Sequence, residues 1–359
     1  MIFDTLDITD LVLLGTLALL FLVQLVWYAY ILCAPARKAR KVRGLEVREL
    51  EDHVGVSVIL CAHNEAYNLS QYLQALLTQD YPEYEVIIVD NGSEDATREI
   101  IESYQVRDPR LRRTFVPIGA RIRSTRQLAL TLAAKAAKYD YLLFTEADSV
   151  PESAHWISAM MAGFRDVQGD NVQGTKDVVL GLNTYFAEES HLNRLIRYDA
   201  FFNALRNLGS ALCGHPYESS GRNMAMRKLF FFESGCLAHV TLTRANTTAI
   251  VTRDAVTWSR TTPSMKDWLL EKQWRVSTES VARVFFYILT VALVVLYGIH
   301  LVSLAAIGLF LLRWLLQTAA INISARRMGV RRFHMGSILW FDIALPVLSI
   351  TKLVNRKYK

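Results

Sequence analysis

The chain has 359 residues, 52% of them hydrophobic, with a formal net charge of +6 and a mean hydropathy of +0.19. This balance points to a membrane protein with a polar domain attached. Many of the basic residues flank apolar stretches instead of interleaving with aromatics, which argues against nucleic acid as a partner. The four cysteines, Cys33, Cys61, Cys213 and Cys236, lack CxxC spacing; they read as small buried hydrophobes in a reducing compartment, not as a disulfide scaffold.

Leu11 to Cys33 is an apolar run long enough to cross a bilayer, which takes roughly 20 residues. It has no basic leader and no small-residue cleavage site, so it is expected to be an anchor and not a cleaved signal. "ARKARKVR" follows directly, and the positive-inside rule puts that end in the cytoplasm.

From about Asp52 the pattern changes to short β-rich runs alternating with helical ones. "VSVILC" (Val56 to Cys61), "YEVIIVD" (Tyr84 to Asp90), "RTFVPI" and "YLLFTEAD" read as strands. "EAYNLSQYLQALLTQ", "EDATREIIESYQ" and "TRQLALTLAAKAAK" read as the helices between them. Strand, helix, strand in this rhythm predicts a parallel α/β sheet with right-handed crossovers. Ligands bind beyond the carboxyl ends of such strands, where "AHNE", "VDNGSED" and "EAD" stand. Glu146 and Asp148, two positions apart on one strand, are expected to face the same way and to approach one ligand together. No G-x-G-x-x-G follows the first strand and no H-E-x-x-H is present, which argues against a dinucleotide dehydrogenase and a zinc hydrolase.

Beyond the polar domain, Val284 to Leu312 carries no Asp, Glu, Lys or Arg, and the apolar tract runs on to about Ile323. With Gly298, Ile299 and His300 near its middle, it predicts two closely connected spans returning to "ARRMGVRR" on the cytoplasmic side. Met335 to Thr351 is short and contains Asp342 and Pro346. It reads as a re-entrant or interfacial segment, with a fourth span as the alternative. The expected organisation is an N-terminal anchor (1–36), a polar domain (50–278), a helical hairpin (284–325) and a last membrane segment (335–351). The protein is then multi-pass in the cell membrane with its polar domain in the cytoplasm.

The ordered set "VSVILCAHNEAYNLSQYLQALLTQDYPEYEVIIVDNGSEDATREII", "YLLFTEADSVP" and "GRNMAMRK" resembles the family 2 glycosyltransferases, most closely the membrane-anchored bacterial members. The resemblance covers nearly the whole polar domain. It implies an α/β domain of the GT-A fold, with a mostly parallel sheet. The implied reaction is inverting transfer of a hexose from a nucleotide-sugar donor to a lipid or glycan acceptor. By position it assigns Glu65 and Asp90 to the nucleoside, and Asp148 with Glu146 to a divalent cation, Mg²⁺ or Mn²⁺. Arg126 falls where the family has a lysine and is able to pair with phosphate. Gly221, Arg222 and Asn223 are implied on the acceptor side. Each residue also has a plainer reading: Glu65 as a carboxylate at a helix N-terminus, Asp90 as a turn residue before Gly92, Asp148 as the start of an Asx turn, and Asp95 as an N-cap.

The sequence departs from the family's pattern on the chemistry itself. The metal pair is Glu-Ala-Asp, and Thr125 replaces a glycine before Arg126. No acidic residue lies between Ser234 and Arg253, where the family has an acidic motif whose Asp is the general base. Glu233 and Asp254 are the remaining candidates, and the catalytic base is unassigned. "EKQWR" holds Gln273, Trp274 and Arg275 in an order unlike the family's closing segment. These departures carry a second reading, a catalytically impaired homologue acting as a membrane scaffold or regulatory subunit.

Overall fold

The computed structural model describes residues 7–42, 54–116, 125–164, 167–168, 171–172, 176–217, 221–235, 240–262, 264–272, 278–298 and 300–357. Cys236, Gln273, Trp274, Arg275 and Ile299 lie outside them. Packing divides the chain into two units: residues 1–34, 187–202 and 262–359 form one, residues 35–186 and 203–261 the other. The uninterrupted 50–278 domain expected from the sequence differs from this division, because 187–202 and 262–272 group with the apolar helices.

The second unit is built on a seven-stranded sheet. Its strands are β1 (Val56–Ala62), β2 (Tyr84–Asp90), β3 (Leu111–Phe115), β4 (Tyr141–Phe144), β8 (Val178–Leu180), β10 (Met224–Arg227) and β11 (Thr247–Ala249). The smaller strands are β5 (Ser149–Pro151), β6 (Val167–Gln168), β7 (Asn171–Val172), β9 (Asn183–Tyr185) and β12 (Thr257–Ser259). Sheet order is β11-β8-β10-β4-β1-β2-β3. β1 pairs in parallel with β2 and β4, β2 with β3, and β8 with β11; β10 runs antiparallel between β4 and β8. The helices α3 (Ala66–Leu77), α4 (Thr97–Gln105) and α5 (Thr125–Ala136) make the crossovers. β2 is buried along its whole length and β1 at every residue but Cys61, as expected for continuous apolar strands covered on both faces. The core of Val58, Leu60, Val86, Ile88, Leu143 and Trp156 sits against the sheet.

Two strands end earlier than their apolar runs suggested. β3 covers Leu111–Phe115 instead of 113–118. β4 stops at Phe144, so Glu146 and Asp148 are not on a strand. They occupy a turn in which Ser149 donates its N–H to the Glu146 carbonyl (3.1 Å). The chain leaves this turn into β5, which joins β12 and β9 in a second, three-stranded sheet that the apolar pattern did not announce.

Asn223 is 2% exposed, and both ends of its amide are engaged by protein. Its Nδ2 donates to the carbonyls of Leu182 (2.9 Å) and Ala255 (2.7 Å), and its Oδ1 accepts from Trp156 Nε1 (3.2 Å). It pins three segments together beneath the site, a position unlike the acceptor-facing one implied for it.

The first unit contains α1 (Ile8–Trp27), α10 (Thr278–Tyr297), α11 (Leu301–Arg327) and α12 (Met335–Lys357). The helices from Ile8 to Ala39 and from Leu301 to Arg327 are long and apolar enough to cross a membrane. α10 ends at Tyr297 and α11 begins at Leu301, with Gly298 in the left-handed region (φ 54°). Leu17, Phe21, Phe286, Leu293, Val302 and Ala306 form the apolar core of this unit. A polar knot lies within it. Arg313 donates to Gln24 Oε1 (2.5 Å), the Tyr287 hydroxyl (2.6 Å), the Tyr28 hydroxyl (2.7 Å) and Asp342 Oδ2 (2.9 Å). Arg283 also pairs with Asp342, which accepts from Gln317 as well (2.8 Å).

Two substitutions test these interiors. Asp342→Asn leaves two buried guanidiniums without their shared counter-charge and is expected to cost about 3–5 kcal/mol, read as a lower unfolding midpoint of the full chain in detergent. Asn223→Ala removes partners from two carbonyls and an indole N–H, each worth about 1–3 kcal/mol when left unpaired. The same thermal measurement should show a loss whether or not any ligand is added; a variant that keeps its midpoint would place Asn223 outside the core.

Candidate active site

After β3 the chain crosses back through α5 and inserts β4 on the other side of β1. The connections from β1 and from β4 therefore leave in opposite directions, which opens a crevice at their carboxyl ends, where α/β sheets bind ligands. Thr145 donates its N–H to the Ile59 carbonyl (3.0 Å) and Asn91 to that of Ala62 (2.8 Å). These bonds carry the pairing to the mouth of the crevice and fix where the three loops begin.

The His63–Asn64–Glu65 loop turns sharply at Asn64, whose φ of 57° is one that Asn tolerates better than most side chains. The Asn64 carbonyl oxygen Oδ1 accepts from Glu94 N–H (2.8 Å), and Ser93 Oγ accepts from Asn64 N–H (3.0 Å). The first N–H groups of α3 have no partner inside the helix. They are satisfied from the next loop: Glu65 N–H donates to Thr97 Oγ1 (2.8 Å) and Ala66 N–H to Asp95 Oδ2 (3.2 Å). Asp95 Oδ1 also takes the N–H of Thr97 (3.0 Å) and its hydroxyl (2.5 Å), so Asp95 serves the starts of both α3 and α4. These hydrogen bonds, Thr97's hydroxyl first, hold its carboxyl below the usual range.

Glu65 occupies the N-cap of α3 without bonding the backbone there. Its Oε2 accepts from Asn68 Nδ2 (2.6 Å). Burial raises the Glu65 carboxyl, Asn68 opposes this, and the charges of Asp148 and Glu146 add to the rise. Asp90 closes β2 with 7% exposure and accepts from Ser93 N–H (3.0 Å), the geometry of a turn before Gly92 (φ 75°).

The acidic turn faces two guanidiniums. Arg126, exposed at the start of α5, pairs with Glu146. Arg222, just after Gly221 (φ 67°), reaches Asp148 Oδ2 at 3.5 Å. Ser149 Oγ donates to Asp148 Oδ1 (3.1 Å) and meets Ser259 Oγ of β12 (2.7 Å). Burial lifts the Asp148 carboxyl above the ordinary range, Arg222 opposes this and Glu146 reinforces it. Burial also pushes the Cys61 thiol up to about 12, which favours its protonated form.

The crevice thus gathers Glu65, Glu146 and Asp148 into one field with Arg126 and Arg222. Among the described residues no group of three His, Cys, Asp or Glu side chains is close enough to hold a metal by itself. Glu146 and Asp148 nevertheless fit a hard cation that takes the rest of its oxygen ligands from phosphate, because together with Glu65 they set three carboxyls against the two guanidiniums of Arg126 and Arg222. Glu233 is exposed at the end of α8 (Lys228–Glu233) and Asp254 is half-buried in the turn before β12. Ser93, Thr97 and Asn68, which hold the loops together, carried no signal except the i,i+3 spacing of Asn68 from Glu65.

Residues 57–230 match glycosyl transferase family 2. Poly-beta-1,6-N-acetyl-D-glucosamine synthase of Staphylococcus epidermidis is 28% identical over 134 residues, which are 37% of this chain and 30% of that protein. Glycosyltransferase AglE of Haloferax volcanii is 49% identical over 51 residues, 14% of this chain and 17% of that protein. The chain therefore spans less than a third of the length of either relative. Among solved structures, mannosyltransferase PcManGT from Pyrobaculum calidifontis, in complex with GDP-Man and Mn²⁺, superposes over 95% of this chain and 98% of its own, at 14% identity and a TM-score of 0.49. The family match runs through the sheet from β1 to β10, and that segment carries a glycosyl transferase family 2 domain of the GT-A fold.

Proposed function

We propose that this chain is a membrane-bound, inverting glycosyltransferase that moves a hexose from a nucleotide-sugar donor to a lipid or glycan acceptor at the cytoplasmic face. One observation carries the reading: the Glu146–Asp148 turn lies in the crevice at the reversal of sheet order, in the same electrostatic field as Glu65 and faced by Arg126 and Arg222. In this reading Glu65 and Asp90 hold the nucleoside. Glu146 and Asp148 hold a divalent cation, Mg²⁺ or Mn²⁺, which when bound neutralises the diphosphate as the sugar departs.

Arg126 pairs with Glu146 and Arg222 with Asp148. With donor present, their planar forks suit phosphate oxygens in two-point contact, so both side chains have a second role without moving far. Gly221 keeps the backbone beside Arg222 free of a side chain on the acceptor approach. The acceptor's proton has no assigned carboxylate: none stands between Ser234 and Arg253.

For the membrane, Arg37 and Lys38 follow the first apolar helix and Arg326 and Arg327 end α11. The positive-inside rule places both in the cytoplasm, on the face where nucleotide sugars are made available to the polar domain.

The test is thermal stabilisation of the full chain by UDP and by GDP, with and without Mn²⁺, followed by donor hydrolysis and transfer. Wild type should be stabilised by a nucleoside diphosphate and more so with Mn²⁺. Asp148→Asn and Glu146→Gln should keep the unliganded midpoint, lose the Mn²⁺ increment and fall at least about 100-fold in turnover, the scale of removing one preorganised electrostatic contact. Nucleotide binding with no hydrolysis or transfer would favour the impaired scaffold, and no nucleotide binding would remove the donor site altogether.

A further inference from the structure

The helical unit holds a second site of opposite sign. A cavity of about 90 Å³ is lined by Arg194 and Arg197 of α7 (His191–Leu212), by Arg331, Arg332 and His334 of the loop between α11 and α12, and by Glu188 and Glu189. That is far smaller than the several hundred Å³ of a typical organic-ligand pocket, and it suits one small anion. Arg194 and Arg197 are three residues apart and share a helix face.

Both walls are built and not merely adjacent. In the first turn of α7, Asn193 is 1% exposed; its Oδ1 accepts from Glu188 N–H (3.0 Å) and its N–H donates to Ser190 Oγ (2.9 Å). On the other side, Gly329 turns the chain out of α11 with φ 77°, and Val330 N–H closes back on the Ala325 carbonyl (2.8 Å). The Asn322 side chain then clasps the backbone of Phe333 through its carbonyl (3.1 Å) and its N–H (2.8 Å).

Arg197 is the residue that points to a ligand. It is 4% exposed, lies over the Phe333 ring at 5.2 Å and donates to the Arg331 carbonyl at 3.3 Å. Its Nε is buried with no hydrogen-bond partner among the described residues. Burial, and then the nearby Arg331 charge, hold its pKa below the ordinary guanidinium value. A buried guanidinium in that state lacks an anion.

We infer that this cavity binds a phosphate group, presented by an anionic lipid headgroup or by free phosphate, through Arg197 with Arg194, Arg331 and Arg332. Guanidinium forks match phosphate oxygens in pairs, and basic pockets beside membrane helices take lipid headgroups. The site is independent of sugar transfer, and its test does not read activity.

The experiment is native mass spectrometry of the full chain in detergent doped with phosphatidic acid, with diacylglycerol as the same lipid lacking phosphate, or with inorganic phosphate. One phosphatidic acid adduct is expected, with diacylglycerol retained at least about tenfold less, the ratio that one charge-assisted contact supplies. Arg332→Gln, an exposed position whose unliganded thermal midpoint should not change, and Arg197→Gln should each weaken the adduct about tenfold; Glu189→Gln should strengthen it. Phosphatidic acid retained without inorganic phosphate identifies the headgroup, and comparable binding of inorganic phosphate identifies the free anion. Equal retention of phosphatidic acid and diacylglycerol, retention of neither phosphate probe, or adducts unchanged in both arginine variants would overturn the inference.

Discussion

Everything at the candidate active site depends on β4 pairing in parallel with β1. Four residues of each strand are in register, Val56 with Tyr141 through Ile59 with Phe144, and the bond from Thr145 to Ile59 extends the pairing by one step. That short ladder brings together residues more than 80 positions apart. It sets the acidic turn beside the Glu65 loop, and Asp90 follows because β2 lies on the other side of β1. The loops themselves contribute little to this placement; they start where the strands stop.

The turn is also held from its far end. Ser149 opens β5 immediately after Asp148, and its buried hydroxyl meets Ser259, which also accepts from Asn183 Nδ2 at 3.0 Å. Glu146 and Asp148 are thus strung between the large sheet and the small one, with both attachments buried. Asn223 anchors the small sheet's neighbourhood through Leu182 and Ala255. A carboxylate pair clamped at both ends has little conformational freedom left to lose on meeting a ligand. That is how a stretch of only a few residues acts as a rigid element without being a strand.

The large sheet was legible in the sequence because its strands are continuous apolar runs and its crossovers are helices of ordinary length. β2 is read to the residue, and α5 starts where its pattern starts. The small sheet was not legible because its inward positions are polar: Ser149, Thr184, Thr257 and Ser259 are all fully buried. No hydrophobic period marks strands of three residues that bury hydroxyls and bond one another. The overlong reading of β4 has a related cause, since Thr145 and Ala147 are buried and continue the apparent alternation past the last ladder bond. Asn223 was misplaced for a different reason. A polar residue beside a glycine in a family motif suggests a ligand, and only three-dimensional packing shows that its partners are Trp156 and two carbonyls.

The two units resolve buried charge with opposite residuals. In the crevice three carboxyls, Glu65, Glu146 and Asp148, face two guanidiniums, and burial raises the proton affinity of two of the three. In the helical unit two buried arginines share Asp342, and the cavity beside α7 sets four arginines against two glutamates. A local surplus of charge in a low-dielectric setting is costly whatever its sign, and a chain that retains it has either a partner of opposite sign or a compensating network. Asp342 receives its compensation from Tyr287 and Gln317 as well as from the arginines. Among the described residues Arg197 has no equivalent set, and Asp148 has the Ser149 hydroxyl at 3.1 Å and Arg222 at 3.5 Å. By the same reasoning the cation proposed for the crevice and the anion proposed for the cavity are distinguished by charge before any question of shape arises.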